Sequence, residues 1–98
     1  ETAACYAEFF KGKEDITFFT EPADCKSNYW LNAVVLKDKA AQLDFLEYTN
    51  DHGVMTRPVW ELMNRLLMFE HCETDGLENT EWLADRVVNI PSSVRLDK

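Results

Sequence analysis

The chain has few of the residues that mark fibrous, low-complexity or cross-linked proteins. Its 98 residues include only three glycines, three prolines and three cysteines. Collagen-like and disordered chains need far more Gly and Pro, so both classes are excluded. An odd number of cysteines without a Cys-x-x-Cys pair argues against a disulfide framework and a structural zinc site. Three unpaired thiols are typical of a reducing compartment, and we expect a cytoplasmic location.

Basic charge and long apolar runs are also scarce. Ten Lys and Arg residues stand against 18 Asp and Glu, which gives a net charge of −8, and the basic residues are scattered. A phosphate backbone is bound by clustered Lys and Arg, so we expect no nucleic-acid partner. No apolar run approaches the roughly 20 residues of a membrane span, and no signal peptide is visible, so we expect no membrane partner.

The remaining composition is that of one small globular domain covering residues 1–98. Hydrophobic residues make up 46% of the chain and aromatic residues 12%. A chain of this length buries about 60–65% of its unfolded surface, enough for one modest core. The sequence has no initiator Met, and a helical pattern starts at once without an N-cap. We therefore expect the natural N-terminus to lie upstream.

The first half of the chain predicts a helix and two strands. Apolar spacing indicates a helix over residues 3–10, which the following Lys11-Gly12-Lys13 should terminate. Residues 16–19 and 28–36 are rich in β-branched and aromatic residues, which predicts strands. Because the segment from Val34 to Leu36 is apolar on both faces, the second strand should be central in a sheet.

The second half predicts two further helices and one strand. Asp38 is the expected N-cap of a helix that runs to about Asn50 and is ended by Gly53. Residues 54–56 should form a short strand, 61–69 are ambiguous between helix and irregular structure, and 71–78 should be a loop. The predicted core stripe of the first of these helices is Ala40, Leu43 and Leu46. The last helix, capped by Asn79 or Thr80, should carry Trp82, Leu83, Val87 and Val88. This order predicts an α+β fold with a small sheet covered on one face by helices.

Two polar and aromatic clusters are the candidate site residues. Asn28, Trp30 and their neighbours open the second strand, where they form either a strand edge with core aromatics or the wall of a polar ligand pocket. Arg57 is held extended by Pro58 and precedes Trp60. It is either a surface Arg beside a core Trp or a forked donor for a carboxylate or phosphate.

Other reactive side chains show no specific pattern. His52 lies in a predicted turn, and neither His has a second His or Cys at metal-ligand spacing. The run from Glu70 to Glu73 contains His71 and Cys72, but consecutive residues rarely converge on one ion, which favours a solvated loop and no metal site. A Cys-His catalytic pair would have to be assembled by the fold.

Several ordered segments together resemble a known family. Residues 27–36 (SNYWLNAVVL), 45–50 (FLEYTN), 52–60 (HGVMTRPVW) and 81–93 (EWLADRVVNIPSS) resemble the C-terminal domain of the DegT/DnrJ/EryC1/StrS aminotransferases. The branch with the most similar strings is the legionaminic-acid-pathway type. The resemblance implies the small domain of fold-type I aminotransferases, with a small antiparallel or mixed sheet flanked by helices.

The resemblance also implies a function for a longer parent protein. These enzymes use pyridoxal phosphate to move an amino group from glutamate to a 4-keto-6-deoxy sugar attached to a nucleotide. The cofactor lysine and phosphate-binding groups belong to a large domain that is missing here. None of the lysines (residues 11, 13, 26, 37, 39 and 98) lies in a matching motif. The chain alone should bind no cofactor, hold no catalytic residue and be catalytically incompetent.

The segments nearest the substrate in the family supply four candidate substrate-binding residues: Asn28, Trp30, Arg57 and Trp60. Many relatives have a His after the Arg-Pro strand, where this chain offers only Asn64. The resemblance implies a homo-oligomer, with apolar surface left exposed by the missing large domain around Phe9, Phe10, Trp30 and Trp60.

Two other functions remain open at this point. One is a self-contained acidic α+β binding or interaction module without catalysis. The other is a small stand-alone enzyme that uses Cys72 or His71.

Overall fold

A four-stranded sheet organises residues 1–93, the part of the chain that the computed structural model describes. Its strands are β1 (Ile16–Phe18), β2 (Asn32–Leu36), β3 (Arg57–Pro58) and β4 (Val87–Ile90), in the order β1-β2-β4-β3. All three pairs are antiparallel. The predicted α+β class is therefore confirmed, and of the two predicted sheet types the antiparallel one is found. β2 has a neighbour on each side, as its apolar run predicted.

Three α-helices and two 3₁₀ turns complete the described fold. The helices are α1 (Thr2–Phe10), α2 (Lys39–Asp51) and α3 (Glu78–Ala84), and the turns span Met63–Arg65 and Leu67–Phe69. The signals at the ends of α2 are confirmed. The Asp38 side chain accepts a hydrogen bond from the Ala41 amide at 2.8 Å, and Gly53 has the left-handed φ of 82° that ends a helix. Within residues 1–93, no helix has the length and apolar character needed to cross a membrane.

The core lies on one face of the sheet. Its buried side chains occupy adjacent positions on β1, β2 and β4, where Phe18 is opposite Val34 and Val34 is opposite Val88. Leu36 and Ile90 extend the same layer, and side chains of α1 and α2 pack against it. Helices thus cover one face of the sheet, as predicted.

Aromatic contacts hold α1 against this face. The Tyr6 and Phe10 rings lie 5.9 and 6.4 Å from the Phe18 ring. The Tyr6 hydroxyl also donates to the Pro91 carbonyl oxygen at 2.6 Å, and burial raises the pKa of this phenol. α1 therefore contacts both β1 and the segment that follows β4, and Phe10 is packed on the core instead of being exposed as expected.

The predicted C-terminal helix is wrong in its second half. α3 ends at Ala84, and the run Val87–Ile90 forms β4 between β2 and β3. Val87 and Val88 are β-branched and favour a strand, and burial between two neighbouring strands outweighs the helical spacing that suggested a continuation. The predicted caps Asn79 and Thr80 are also wrong, because α3 starts one position after Leu77.

Two strand predictions need correction as well. Residues 28–31 are irregular, since Tyr29 adopts a left-handed φ of 50° that no strand allows. Residues 54–56 lie before β3, whose pairing begins only at Arg57.

The residues of α2 that face the core differ from the predicted stripe of Ala40, Leu43 and Leu46. Leu43 is 53% exposed, and Ala40 is also exposed. Ala41 and Phe45 pack on the core instead, together with Leu46, the one member of the predicted stripe that does so. Gln42 is buried at 1% exposure and donates through Nε2 to the carbonyl oxygens of Ala84 and Val87, each at 2.9 Å. The helix thus uses a polar side chain to hold the connection between α3 and β4.

Candidate functional site

Asn28 and Trp30 lie in a tight loop that leads into β2. The Asn28 Oδ1 atom accepts a hydrogen bond from the Trp30 amide at 3.0 Å, and Ser27 Oγ accepts one from the Tyr29 amide at 2.9 Å. These bonds stabilise the turn locally, as short polar side chains do in loops. Trp30 is 73% exposed, so its indole stands in solvent and is not a core aromatic.

Tyr29 fixes this loop to the fold, a role that the sequence analysis did not assign. Its ring lies 6.3 Å from the Phe18 ring in a stacked arrangement, and its hydroxyl accepts from the Glu21 amide at 2.9 Å. The Glu21 carboxylate in turn accepts from the Ser27 amide. The left-handed backbone at Tyr29 thus lets one side chain point into the core while its neighbours remain exposed.

Arg57 starts β3, where it pairs with Asn89 of β4. Its side chain is exposed and turns toward the end of α2. The Nη1 atom lies 2.9 Å from the Thr56 carbonyl oxygen and 3.5 Å from Asn50 Oδ1. Neither Asn50 nor Thr56 was among the predicted site residues. A signal for them existed in the sequence, because both lie in the segments that carried the family resemblance.

Trp60 lies at the other end of the sheet. It is 83% exposed and borders a groove of about 250 Å³ with Lys39 at the start of α2 and Ala84 at the end of α3. β2 and β3 run in the same direction, since each is antiparallel to β4. Their first residues share one end of the sheet. The structure therefore brings Arg57 and the loop of Asn28 and Trp30 to one end, and it separates Trp60 from them.

Asn64 lines a groove of about 470 Å³ between the 3₁₀ turns and α3. Leu62 and Phe69 give this groove apolar walls, and Cys72 also lines it. His71 is solvated, with Nε2 at 3.6 Å from Glu70 Oε1. No three His, Cys, Asp or Glu side chains within residues 1–93 are grouped so that they could hold a metal ion.

The lysines within the described residues do not fit the covalent binding of pyridoxal phosphate. Covalent capture of the cofactor requires a lysine in a desolvated site beside groups that bind the phosphate. All five lysines within the described residues are exposed. None of these five lysines has the surroundings that covalent attachment of the cofactor requires.

Comparison with known proteins identifies the fold and the family. The solved structure of the sugar aminotransferase CalS13 from Micromonospora echinospora superposes with a TM-score of 0.72 at 24% sequence identity. The alignment covers 91% of this chain and 23% of that chain, so the present chain spans about a quarter of the matched structure. A search of curated proteins gave no significant match. The family model that describes the DegT/DnrJ/EryC1/StrS aminotransferases matches residues 1–98, and the chain therefore belongs to that family.

Proposed function

We propose that this chain is the small C-terminal domain of a longer, pyridoxal-phosphate-dependent sugar-nucleotide aminotransferase. The observation that supports this most is the family match over the whole chain, combined with a fold that corresponds to 23% of a sugar aminotransferase. The proposed reaction transfers an amino group from glutamate to a 4-keto-6-deoxy sugar nucleotide. The similar strings favour the legionaminic-acid-pathway branch.

In this proposal the cofactor and its lysine lie on the large domain, and the small domain contributes to the rim of the active site. Pyridoxal phosphate, when bound there, supplies the electron sink for amino transfer. Arg57 carries the only positive charge among the four candidate residues and binds a carboxylate or phosphate of a substrate. Asn28 offers an amide to polar groups, while the exposed indoles of Trp30 and Trp60 provide flat apolar walls.

The proposal is tested by comparing the 98-residue chain with the product of the coding sequence extended upstream. We expect the longer protein to take up pyridoxal phosphate, with a new absorption band in the violet. It should also form an amino sugar from glutamate and a nucleotide-linked 4-keto sugar, detected by mass spectrometry. The 98-residue chain should do neither. Amino transfer by the short chain, or a start codon close to Glu1 with no large domain upstream, would favour a self-contained module instead.

Exposed apolar side chains predict that the isolated chain self-associates. Trp60 and Leu67 are 83% and 82% exposed, and both follow β3 in the segment that contains the 3₁₀ turns. Large exposed apolar side chains add to the apolar surface through which chains associate. We expect sedimentation at rising concentration to show dimers or larger species. In this proposal these side chains contact the large domain or a second subunit of the parent.

A double substitution tests the contribution of these two side chains to self-association. Replacing Trp60 and Leu67 by Ser should shift the distribution toward monomer, whereas the same change at Ala40 and Ala23, which are exposed but small, should leave it unchanged. A chain that sediments as a monomer at every concentration before any substitution would contradict the prediction.

A further inference from the structure

Four side chains form a polar cluster where the end of α2 meets the start of β3. Thr49 and Asn50 lie in the last turns of α2, and Thr56 and Arg57 lie at the start of β3; we call this set the α2–β3 cluster. Thr56 is 2% exposed, and its hydroxyl lies 2.6 Å from the Thr49 hydroxyl. The Val54 amide donates to the Thr49 carbonyl oxygen at 2.8 Å, which holds the connecting turn against the helix.

The hydrogen bonds of the cluster determine how the Asn50 amide is oriented. Its Nδ2 atom lies 2.7 Å from the Leu46 carbonyl oxygen, 3.0 Å from Thr56 Oγ1 and 3.3 Å from the Thr56 carbonyl oxygen. A flipped amide would place Oδ1 against two carbonyl oxygens, which carry no hydrogen to donate. Oδ1 must therefore point the other way, toward Arg57.

The same geometry divides the donors of Arg57 into two sets. Nη1 faces the Thr56 carbonyl oxygen and Asn50 Oδ1, which account for its two hydrogens. Among residues 1–93 the structure shows no acceptor for Nε or Nη2. These two atoms form one edge of the guanidinium, with parallel N–H groups that match a carboxylate or a phosphate. An edge suited to bidentate binding is thus left available.

We propose that Asn50 is a positioning residue that holds the guanidinium of Arg57 by Nη1, so that its Nε–Nη2 edge faces an anionic group of a substrate. This inference rests on the proposed function, which assigns anion binding to Arg57. An amide suits the task because it accepts a hydrogen bond without carrying charge. A carboxylate at this position would neutralise the guanidinium and compete with the anion.

The first test measures the order of the Arg57 side chain by ¹⁵N relaxation of its Nε–H group in the 98-residue chain. In the unchanged chain we expect Arg57 Nε to be more ordered than Nε of Arg65, whose nearest carboxylate oxygen lies 3.9 Å away. Asn50→Ala should reduce the order of Arg57 to the level of Arg65. Asn50→Gln, which keeps both the donor and the acceptor of an amide on a longer side chain, should preserve more of this order than Asn50→Ala does. Asn79→Ala, an exposed Asn on α3, is the matched control.

The second test measures KM for each substrate in the longer protein. Asn50→Ala should raise KM for one anionic substrate about three- to tenfold with little change in kcat, as loss of one positioning hydrogen bond predicts. In an Arg57→Gln background the same change should have no further effect on KM. A merely structural role of Asn50 would lower the thermal midpoint and add to the effect of Arg57→Gln. The substrate whose KM responds, glutamate or the sugar nucleotide, identifies the anion.

The outcomes separate the two proposals. Unchanged order of Arg57 in Asn50→Ala overturns the positioning role, whatever the KM values. Additive KM effects overturn it as well. If Arg57 loses order in Asn50→Ala but Arg57→Gln leaves KM for both substrates unchanged, the anion-binding role of Arg57 under the proposed function is wrong, and the inferred edge serves no substrate.

Discussion

Replacing Phe18 by Ala is expected to lower the free energy of unfolding by about 3–5 kcal/mol, as for other buried Phe side chains. Phe18 is 7% exposed and lies at the centre of the aromatic contacts between the sheet and α1. Its ring is close to those of Tyr6, Phe10 and Tyr29. Truncation removes buried apolar area and leaves a cavity that the three neighbouring rings, two on α1 and one in the loop before β2, cannot easily fill. Urea unfolding of the 98-residue chain, followed by circular dichroism, measures the effect.

Phe19 provides the matched control because it is adjacent in sequence and identical in chemistry. It is 56% exposed, and its backbone amide donates to the Ala33 carbonyl oxygen at 2.9 Å, a bond that the side chain does not make. Phe19→Ala should therefore change the free energy of unfolding by less than about 1 kcal/mol. Equal losses for the two substitutions would contradict the orientation of β1.

Replacing Gln42 by Met should lower the free energy of unfolding by about 2–4 kcal/mol although the volume is nearly conserved, because two partly buried carbonyl oxygens lose their donor. Those acceptors belong to Ala84 and Val87, on either side of the turn between α3 and β4. The Gln42 Nε2 atom makes both hydrogen bonds to this turn. The Gln42 Oε1 atom is buried and has no hydrogen-bond partner within the described residues. Urea unfolding again gives the value, and amide exchange in residues 85–88 should increase.

Leu43→Ala is the control on the same helix. Sequence periodicity assigns Leu43 to the core, but its side chain is 53% exposed, and we expect a loss of no more than about 1 kcal/mol. The periodic pattern and the structure thus predict opposite orders for the two substitutions. A larger loss at Leu43 than at Gln42 would show that α2 is rotated relative to the structure.

Local signals predicted the first helix and the ends of the second correctly. Asp38 and Gly53 act through bonds and dihedral angles within a few residues, so their effects are visible in the sequence. The predicted strand at residues 16–19 is confirmed for Ile16–Phe18 for a similar reason, since β-branched and aromatic residues favour extended backbone. The predicted class of fold followed from these elements.

The candidate site was predictable only in part. The sequence left Arg57 open as either a surface Arg beside a core Trp or a forked donor, and in the structure its side chain is exposed with its Nε and Nη2 atoms available. The sequence did not reveal that Asn50 and Thr56 accept hydrogen bonds from the Nη1 atom of Arg57. These bonds form only when the end of α2 lies against the start of β3. The binding roles of Asn28, Trp30, Arg57 and Trp60 remain predictions, and Trp60 lies at the opposite end of the sheet from the others.

By itself, the sequence determined both ends of α2, the strand at Ile16–Phe18, the acidic charge of the chain and its resemblance to one aminotransferase family. Only the tertiary structure decided that Val87–Ile90 is a strand, that Gln42 instead of Leu43 faces the interior, and that Phe18 instead of Phe19 is buried. The reason is physical. Caps and turns depend on neighbours within one helical turn, whereas strand pairing and burial depend on partners such as Gln42 and Ala84, 42 residues apart. Their contacts exist only after the chain has folded.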